Sequence, residues 1–171
     1  MRFKTDRGVF SKNGIDYGSR VLLENYQPEG AKTLLDVGCG YGTLGLTLAK
    51  KFDLSVTMVD VNSRALDLCR QNAIDNAVSN TEIELSNIYE AVSEKYDAII
   101  SNPPIRAGKE VVHEILTGAF DYLNDGGHLT IVIQKKQGAP SAQRKMEEVF
   151  GNCQLCLLYT SDAADDLLCV D

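Results

Sequence analysis

The sequence predicts a single α/β domain, in which a mostly parallel, twisted sheet carries helices on both faces. Short apolar runs alternate along the chain with segments of helical periodicity, which is the pattern of βαβ units. The chain has 171 residues, about one domain's worth, and its 44% hydrophobic and 24% charged residues are typical of a globular protein. This composition excludes disordered, collagenous and disulfide-dense chains, and no apolar run reaches the roughly 18 residues of a membrane span.

Helix and strand positions follow from this pattern in chain order. Five strands are predicted from short apolar runs, at residues 33–38, 54–60, 81–85, 96–101 and 128–133. Four helices are predicted from apolar side chains three and four positions apart, over residues 43–52, 63–77, 111–123 and 141–150. The first strand ends in a glycine turn, Ser63 is a suitable N-cap for the second helix, and Gly126-Gly127 predicts the turn into the fifth strand.

The last sixteen residues differ from the rest of the chain. CLLYTSDAADDLLCVD (156–171) has four aspartates and no Lys or Arg, and its first ten residues match a translated transposase sequencing adapter. We therefore expect residues 1–155 to form the domain and residues 156–171 to be a non-native tail. A native acidic, amphipathic C-terminus is the alternative, and the codons over this stretch distinguish the two.

Glycines and a carboxylate follow the first two strands. In an open parallel sheet the ligand lies beyond the carboxyl ends of the strands, where DVGCGYG (36–42) follows the first strand and Asp60 ends the second. The glycines let the backbone approach a ligand closely, and a carboxylate such as Asp60 can accept both hydroxyls of a ribose. Thr43 occupies the place of the third glycine of a dinucleotide fingerprint, and Asp36 would repel a diphosphate. A ribonucleoside with an amino group and a sulfonium therefore fits better than NAD.

This constellation resembles the class I S-adenosylmethionine-dependent methyltransferases, which have a Rossmann-like fold. The resemblance implies S-adenosylmethionine as cofactor, with the acidic residue and glycine loop of the first strand on its methionine part, Asp60 on the ribose and Asn87 near the adenine amino group. It also implies a C-terminal antiparallel hairpin, which we expect to be truncated near residue 155. The residues that it assigns to cofactor binding are Asp36, Gly38, Gly40, Tyr41, Gly42, Asp60, Asn87 and Asn102.

The sequence SNPPIRAG (101–108) follows the fourth strand. Consecutive prolines fix the backbone and remove two N–H donors, so Asn102, Pro103 and Pro104 present carbonyl oxygens to a cleft. Such a site suits an exocyclic or amide nitrogen, which has hydrogens to donate, and aims its lone pair at the sulfonium methyl by proximity and orientation. The resemblance assigns these three residues to catalysis, because Asn-Pro-Pro at this place marks methyltransferases that act on amino groups of adenine, guanine or glutamine.

Longer stretches narrow the resemblance to the RsmC-like "methyltransferase small" family. They are TDRGVFSKNGIDYGSRVLLE (5–24), DVGCGYG and NPPIRAGK (102–109). This family implies methyl transfer to guanine N2 in small-subunit (16S) ribosomal RNA, with ribosomal RNA or the small ribosomal subunit as partner. The substrate-binding residues that we expect from it and from local positive charge are Phe10, Ser11, Asp16, Ile105, Arg106 and Lys109.

Three other functions stay open at this point. They are glutamine-N5 methylation of a release factor, hydride transfer by a nicotinamide-dependent dehydrogenase, and a non-catalytic RNA-binding or assembly module. A local excess of Lys and Arg over residues 1–20 favours RNA despite a formal net charge of −7. No metal is expected, since His113 and His128 lack partners at ligand spacing. The five cysteines lack disulfide spacing and predict a reduced, cytoplasmic protein.

Overall fold

A computed structural model describes residues 1–6, 15–103, 108–134, 138–158 and 165–170 of the chain. The helices are α1 Tyr17–Asn25, α2 Thr43–Phe52, α3 Ser63–Asp75, α4 Gly108–Tyr122 and α5 Ala139–Phe150. The strands are β1 Thr33–Val37, β2 Ser55–Asp60, β3 Thr81–Leu85, β4 Tyr96–Ser101, β5 Leu123–Gln134, β6 Gln154–Leu158 and β7 Asp165–Val170.

The strands form a seven-stranded sheet in the order β3-β2-β1-β4-β5-β7-β6. The first five strands pair in parallel, which confirms the predicted α/β, Rossmann-like architecture. The chain extends the sheet from β1 through β2 to β3 and then returns to the other side of β1 with β4. This reversal between β1 and β4 is the switch point, where the carboxyl ends of neighbouring strands leave room for a ligand.

The core consists of two apolar layers, one on each face of the sheet. Neighbouring residues of a strand point to opposite faces, so Leu34 packs with α1, α2 and α3, whereas Leu35 packs with α4 and α5. Ile100 and Ile99 of β4 divide in the same way, and all four side chains are fully buried. Burial on both faces explains why these strands are continuous apolar runs in the sequence.

Several element boundaries differ from the prediction for local reasons. Helix α1 was not predicted; it begins after Asp16, whose side chain accepts a hydrogen bond from Ser19 N. The N-cap of α3 is Asn62 and not Ser63, because the Asn62 side chain accepts from Ala65 N. Strand β5 begins at Leu123, so the predicted glycine turn is a bulge inside the strand, with Gly126 at φ 75°.

The C-terminal hairpin differs from the expectation that it is truncated. Strand β7 lies antiparallel to β5, in register from Leu129↔Val170 to Gln134↔Asp165, and β6 pairs antiparallel with β7. A strand at this place satisfies the backbone N–H and C=O groups along the edge of β5, and pairing of this kind depends on the backbone rather than on the charge of the segment. The division into a domain over 1–155 and a non-native tail over 156–171 stays a prediction.

Candidate cofactor and substrate site

The glycine loop after β1 forms one wall of the candidate site. Its backbone is anchored to β2, since Gly38 N and Cys39 N both donate to Val59 O, at 2.9 and 3.0 Å. The loop has positive φ angles at its three glycines, and at Gly42 a Cβ would lie 2.6 Å from the buried Cys69 Sγ. Glycine is therefore required at Gly42 both for the backbone conformation and for the close approach of α3.

Asp60, at the end of β2, joins the loop to the start of α3. Its Oδ2 accepts a hydrogen bond from Gly40 N and its Oδ1 accepts one from Asn62 N, both at 2.8 Å. These two bonds fix the carboxylate in one orientation. Because each carboxylate oxygen has a further lone pair, both can still accept a hydrogen bond from a ligand.

Asp36 lies beneath the loop and is fully buried. Its Oδ2 accepts from Gly45 N at 2.9 Å, while Oδ1 has no hydrogen-bond partner among the described residues. Burial raises the pKa of Asp36 from 3.8 to about 7; the Gly45 hydrogen bond opposes this shift and the charge of Asp60 adds to it. The carboxyl therefore changes protonation near neutral pH, at a place where a positive ligand would favour the charged form.

Tyr41 of the loop is held from the other side by the N-terminal segment and α3. Asn72 Nδ2 donates to Tyr41 O at 3.0 Å and to Lys4 O at 3.1 Å, and Asn72 Oδ1 accepts from Lys4 N at 2.7 Å. One helical turn later, Asn76 exchanges the same pair of hydrogen bonds with Arg2, at 3.0 and 2.7 Å. Residues 1–6 thus run along α3 beside the loop.

Asn102 follows β4 and faces the start of α1. Its Nδ2 donates to Asp16 Oδ1 at 2.9 Å and to Ser19 Oγ at 3.0 Å. The end of β4 is tied to β1, since Ser101 Oγ donates to Val37 O at 2.7 Å. Asn102 is therefore held by residues more than eighty positions away in the sequence.

Two adjoining cavities lie along this edge of the sheet, and both contact Gly38 and Asp60. The smaller one, of about 90 Å³, lies between the loop and α1 and is lined by the predicted residues Asp16, Gly40, Tyr41 and Asn102. The larger one, of about 270 Å³, includes Asn87 and Pro103. Together they form one groove that runs past Asp60.

Other predicted site residues lie elsewhere. Asp36 and Gly42 line neither cavity among the described residues, although both support the loop. Lys109 is exposed on the first turn of α4, outside the lining of both cavities. The remaining predicted residues fall outside the described residues, and they are Phe10, Ser11, Pro104, Ile105 and Arg106.

Sequence reasoning missed the apolar side chains of the larger cavity and a glycine of α2. The apolar lining residues are Val37, Val61, Ile88, Val111 and Ile115. A Cβ at Gly45 would lie 2.4 Å from Met58 Sδ, so this glycine permits α2 to pack closely on the sheet. The helical spacing of Val111 and Ile115 was a signal that could have identified these two residues. Gly45 of α2 packs against Met58 of β2, and no local sequence pattern reveals a contact between two separate elements.

Within the described part of the chain, none of the helices combines the length and apolarity needed to cross a bilayer. Among the same residues, no three or more His, Cys, Asp or Glu side chains gather where they could hold a metal ion.

The chain matches the model of the methyltransferase small domain family over residues 1–158. It is 49% identical over 152 residues to the uncharacterized protein YbxB of Bacillus subtilis (strain 168), a match that covers 86% of this chain and 76% of that protein. It is 35% identical over 156 residues to ribosomal RNA small subunit methyltransferase C of Klebsiella pneumoniae, covering 88% of this chain and 44% of that protein.

Among solved structures, the T. thermophilus 16S rRNA N2 G1207 methyltransferase (RsmC), in complex with AdoMet and guanosine, matches with a TM-score of 0.82. It is 26% identical, and the match covers 96% of this chain and 45% of that one. A methyltransferase from Pyrococcus furiosus, at 23% identity and a TM-score of 0.79, shares the fold over 96% of this chain and 89% of its own. The chain thus spans about half the length of the ribosomal RNA methyltransferases that it matches.

The family match covers most of the chain, and the relatives of known activity are methyltransferases. The groove at the switch point contains a carboxylate, a glycine loop and an apolar lining. The chain therefore belongs to the methyltransferase small domain family and is an S-adenosylmethionine-dependent methyltransferase.

Proposed function

We propose that this enzyme methylates the exocyclic N2 amino group of guanine in small-subunit ribosomal RNA. The observation that carries the proposal is the position of Asn102, which shares one cavity with the glycine loop and Asp60. An acceptor that is adjacent to the cofactor groove suits a substrate nitrogen that still has hydrogens to donate. The names of two relatives, both ribosomal RNA methyltransferases of the small subunit, support guanine in RNA as the carrier of that nitrogen.

The chemical groups that line the groove suit the three parts of S-adenosylmethionine. The apolar walls of the larger cavity suit the adenine ring, and Asn87 Nδ2 donates to Glu90 Oε1 at 2.9 Å, so Asn87 Oδ1 is left to accept from the adenine amino group. The free lone pairs of Asp60 suit the two ribose hydroxyls. The smaller cavity is lined by the glycine loop that follows Asp36 and would take the methionine part, whose positive charge would favour ionised Asp36.

The bound cofactor supplies an electrophilic methyl group on a sulfonium. Asn102 Oδ1 would accept an N–H bond of the guanine amino group and turn the nitrogen lone pair toward that methyl group. Pro103 has no N–H, so it adds no donor that would compete with the substrate at this end of the groove. Proximity and orientation would then supply most of the rate enhancement. As the N–C bond forms, the S–C bond would break, the neutral thioether would leave as the second product, and the proton would pass from the nitrogen to water.

Positive charge at the mouth of the site would guide the RNA. Arg20 is exposed on α1, a helix that lines the smaller cavity through Ser19, and Lys109 is exposed on the first turn of α4, which lines the larger cavity through Val111 and Ile115. Contacts of such side chains to phosphates contribute affinity that falls with salt, even on a protein of net negative charge. Phosphate binding, rather than base recognition, is the role proposed for Lys109.

Transfer of a tritiated methyl group tests the proposal. In three separate reactions, the protein and labelled S-adenosylmethionine are incubated with deproteinised small-subunit RNA, with small ribosomal subunits that lack the modification, or with a release factor. We expect label in RNA, recovered as N2-methylguanosine after digestion to nucleosides, and labelling at least about tenfold slower with Asn102→Ala. Label in the release factor or in another nucleoside would contradict the guanine-N2 assignment.

A further inference from the structure

The segment Asp16-Tyr17-Gly18-Ser19 contacts Asn102 through three of its four residues. Asp16 and Ser19 accept the two hydrogen bonds of the Asn102 amide, and a Cβ at Gly18 would lie 3.1 Å from Asn102 Oδ1 and 3.3 Å from Nδ2. We infer that these residues, here called the α1 cradle (Asp16, Gly18 and Ser19), fix the orientation of the Asn102 amide for methyl transfer. Asp16 and Ser19 are then positioning residues and not substrate ligands.

The chemistry of the contacts decides which end of the Asn102 amide is held. A carboxylate is only an acceptor, so the group that faces Asp16 must be the NH₂ and not the carbonyl. The NH₂ has two hydrogens, and Asp16 Oδ1 and Ser19 Oγ account for both. The nitrogen end is therefore bound to the α1 cradle, and Oδ1 is the end left for a substrate.

The α1 cradle is itself rigid. Asp16 Oδ1 also accepts from Ser19 N at 3.0 Å, and Asp16 Oδ2 accepts from Ser19 Oγ at 2.7 Å. Ser19 and Gly18 are buried, and a methyl group at Gly18 would also meet the buried Val132 Cγ1 at 3.0 Å. Asp16 accepts three hydrogen bonds within the protein, two of them through Oδ1, and one of these comes from Asn102, which favours a positioning role over the substrate-binding role expected from its sequence.

Holding the amide has two consequences for the reaction. An unrestrained Asn side chain presents its NH₂ or its oxygen to the cleft about equally, and the NH₂ would repel the substrate amino group. In addition, a hydrogen bond from the amide to a carboxylate draws charge onto the carbonyl oxygen and makes it a stronger acceptor. This role rests on the proposed function of Asn102 as the acceptor of the substrate nitrogen.

Four variants of the α1 cradle test the inference by steady-state kinetics with RNA. Asp16→Ala and Ser19→Ala each remove a hydrogen-bond acceptor of the Asn102 amide. Gly18→Ala adds a methyl group in close contact with that amide, and Asp16→Asn keeps an acceptor oxygen but removes the negative charge. We expect Asp16→Ala to lower kcat by about tenfold while the Kd of S-adenosylmethionine and the KM for RNA stay within about twofold. Asp16→Asn should recover part of that loss.

Asn25→Ala is the matched control, because it removes a side-chain hydrogen bond, to Val21 O at 2.8 Å, at the far end of the same helix. We expect it to lower the melting temperature without changing kcat. A wild-type kcat in Asp16→Ala would overturn the inference. So would a kcat loss that Asn25→Ala reproduces at equal loss of stability.

The NMR signals of the Asn102 side-chain NH₂ give a readout that does not need activity. In the wild type we expect two resolved protons in slow exchange with water, and in Asp16→Ala a changed shift and faster exchange, because only the bond to Ser19 Oγ remains. Unchanged signals in Asp16→Ala would overturn the inference that the α1 cradle orients the Asn102 amide. If the wild type methylates no RNA, the proposed function fails, and these signals still decide whether the α1 cradle holds the amide.

Discussion

Replacement of Asp60 gives the sharpest test of how the cofactor is held. Asp60→Ala removes an acceptor for two ribose hydroxyls and also leaves Gly40 N and Asn62 N without their partner. A hydrogen bond to a charged group contributes about 1.5–3 kcal/mol, and water replaces part of each lost bond. We therefore expect a loss of about 2–4 kcal/mol, which raises the Kd of S-adenosylmethionine by about thirtyfold to about a thousandfold.

Isothermal titration calorimetry with S-adenosylmethionine measures this change directly. Asp60→Asn should fall between the wild type and Asp60→Ala, because one amide oxygen remains while the NH₂ opposes the backbone N–H of Gly40 or Asn62. Asp53→Asn is the charge control: Asp53 is exposed, has φ 54°, which Asn tolerates, and precedes β2 at the opposite end from Asp60.

The reasoning would be refuted if folded Asp60→Ala bound the cofactor within twofold of the wild type. A similar loss of affinity in Asp53→Asn would also refute it, because the effect would then follow net charge and not the ribose contacts. Circular dichroism and thermal melting establish that each variant is folded before its affinity is compared.

Four further predictions follow from the same geometry. Asn102→Ala should lower kcat by at least about tenfold with the Kd of S-adenosylmethionine nearly unchanged, measured by single-turnover kinetics and calorimetry. The pKa of Asp36 is about 7 in the folded protein against 3.8 normally, so the folded state binds a proton that the unfolded state releases, and stability is lost as pH rises from about 4 to 7. Asp36→Asn should remove this loss, so its advantage in urea unfolding grows over that pH range and is constant above it; parallel curves for the two proteins would contradict the shift. Gly45→Ala should destabilise the protein by about 1–3 kcal/mol, since the added methyl group meets the buried Met58, and an unchanged urea midpoint would disagree. Hydrogen exchange by mass spectrometry should show slow amides over β7 because they pair with β5 and β6, whereas fast exchange there would mean that the tail stays outside the sheet.

The parallel half of the sheet could be predicted because its strands are buried on both faces and read as apolar runs. The glycine loop and Asp60 could be predicted because strand ends at one edge of a parallel sheet converge there. The N-cap bond of helix α1, from Ser19 N to Asp16, is a local signal that the prediction did not use. The contacts of Asp16 and Ser19 with Asn102 could not be predicted, because they join residues 86 and 83 positions apart. A single sequence gives no distance between such residues.

The C-terminal strands mark another limit of sequence reasoning. Composition separates residues 156–171 from the rest of the chain, and it led us to expect a gap beside β5. Strand pairing joins backbone groups, and a segment such as DDLLCV meets its requirements without any complementary charge. Composition therefore does not predict the place of a segment in a sheet.

The N-terminal segment is held by Asn72 of α3 and by Asn76, which caps the C-terminal end of that helix, and this arrangement has a geometric consequence. Two residues of an extended chain advance about 6.6 Å, and four residues of a helix advance about 6 Å, so Arg2 and Lys4 meet Asn76 and Asn72 almost in step. The helix thereby imitates the edge of a sheet with side-chain amides in place of peptide groups. The ladder itself uses only backbone groups of Arg2 and Lys4, and the Lys4 side chain adds an ion pair to Asp75 at 2.7 Å. Proline at either position would break the ladder and loosen Tyr41 in the glycine loop.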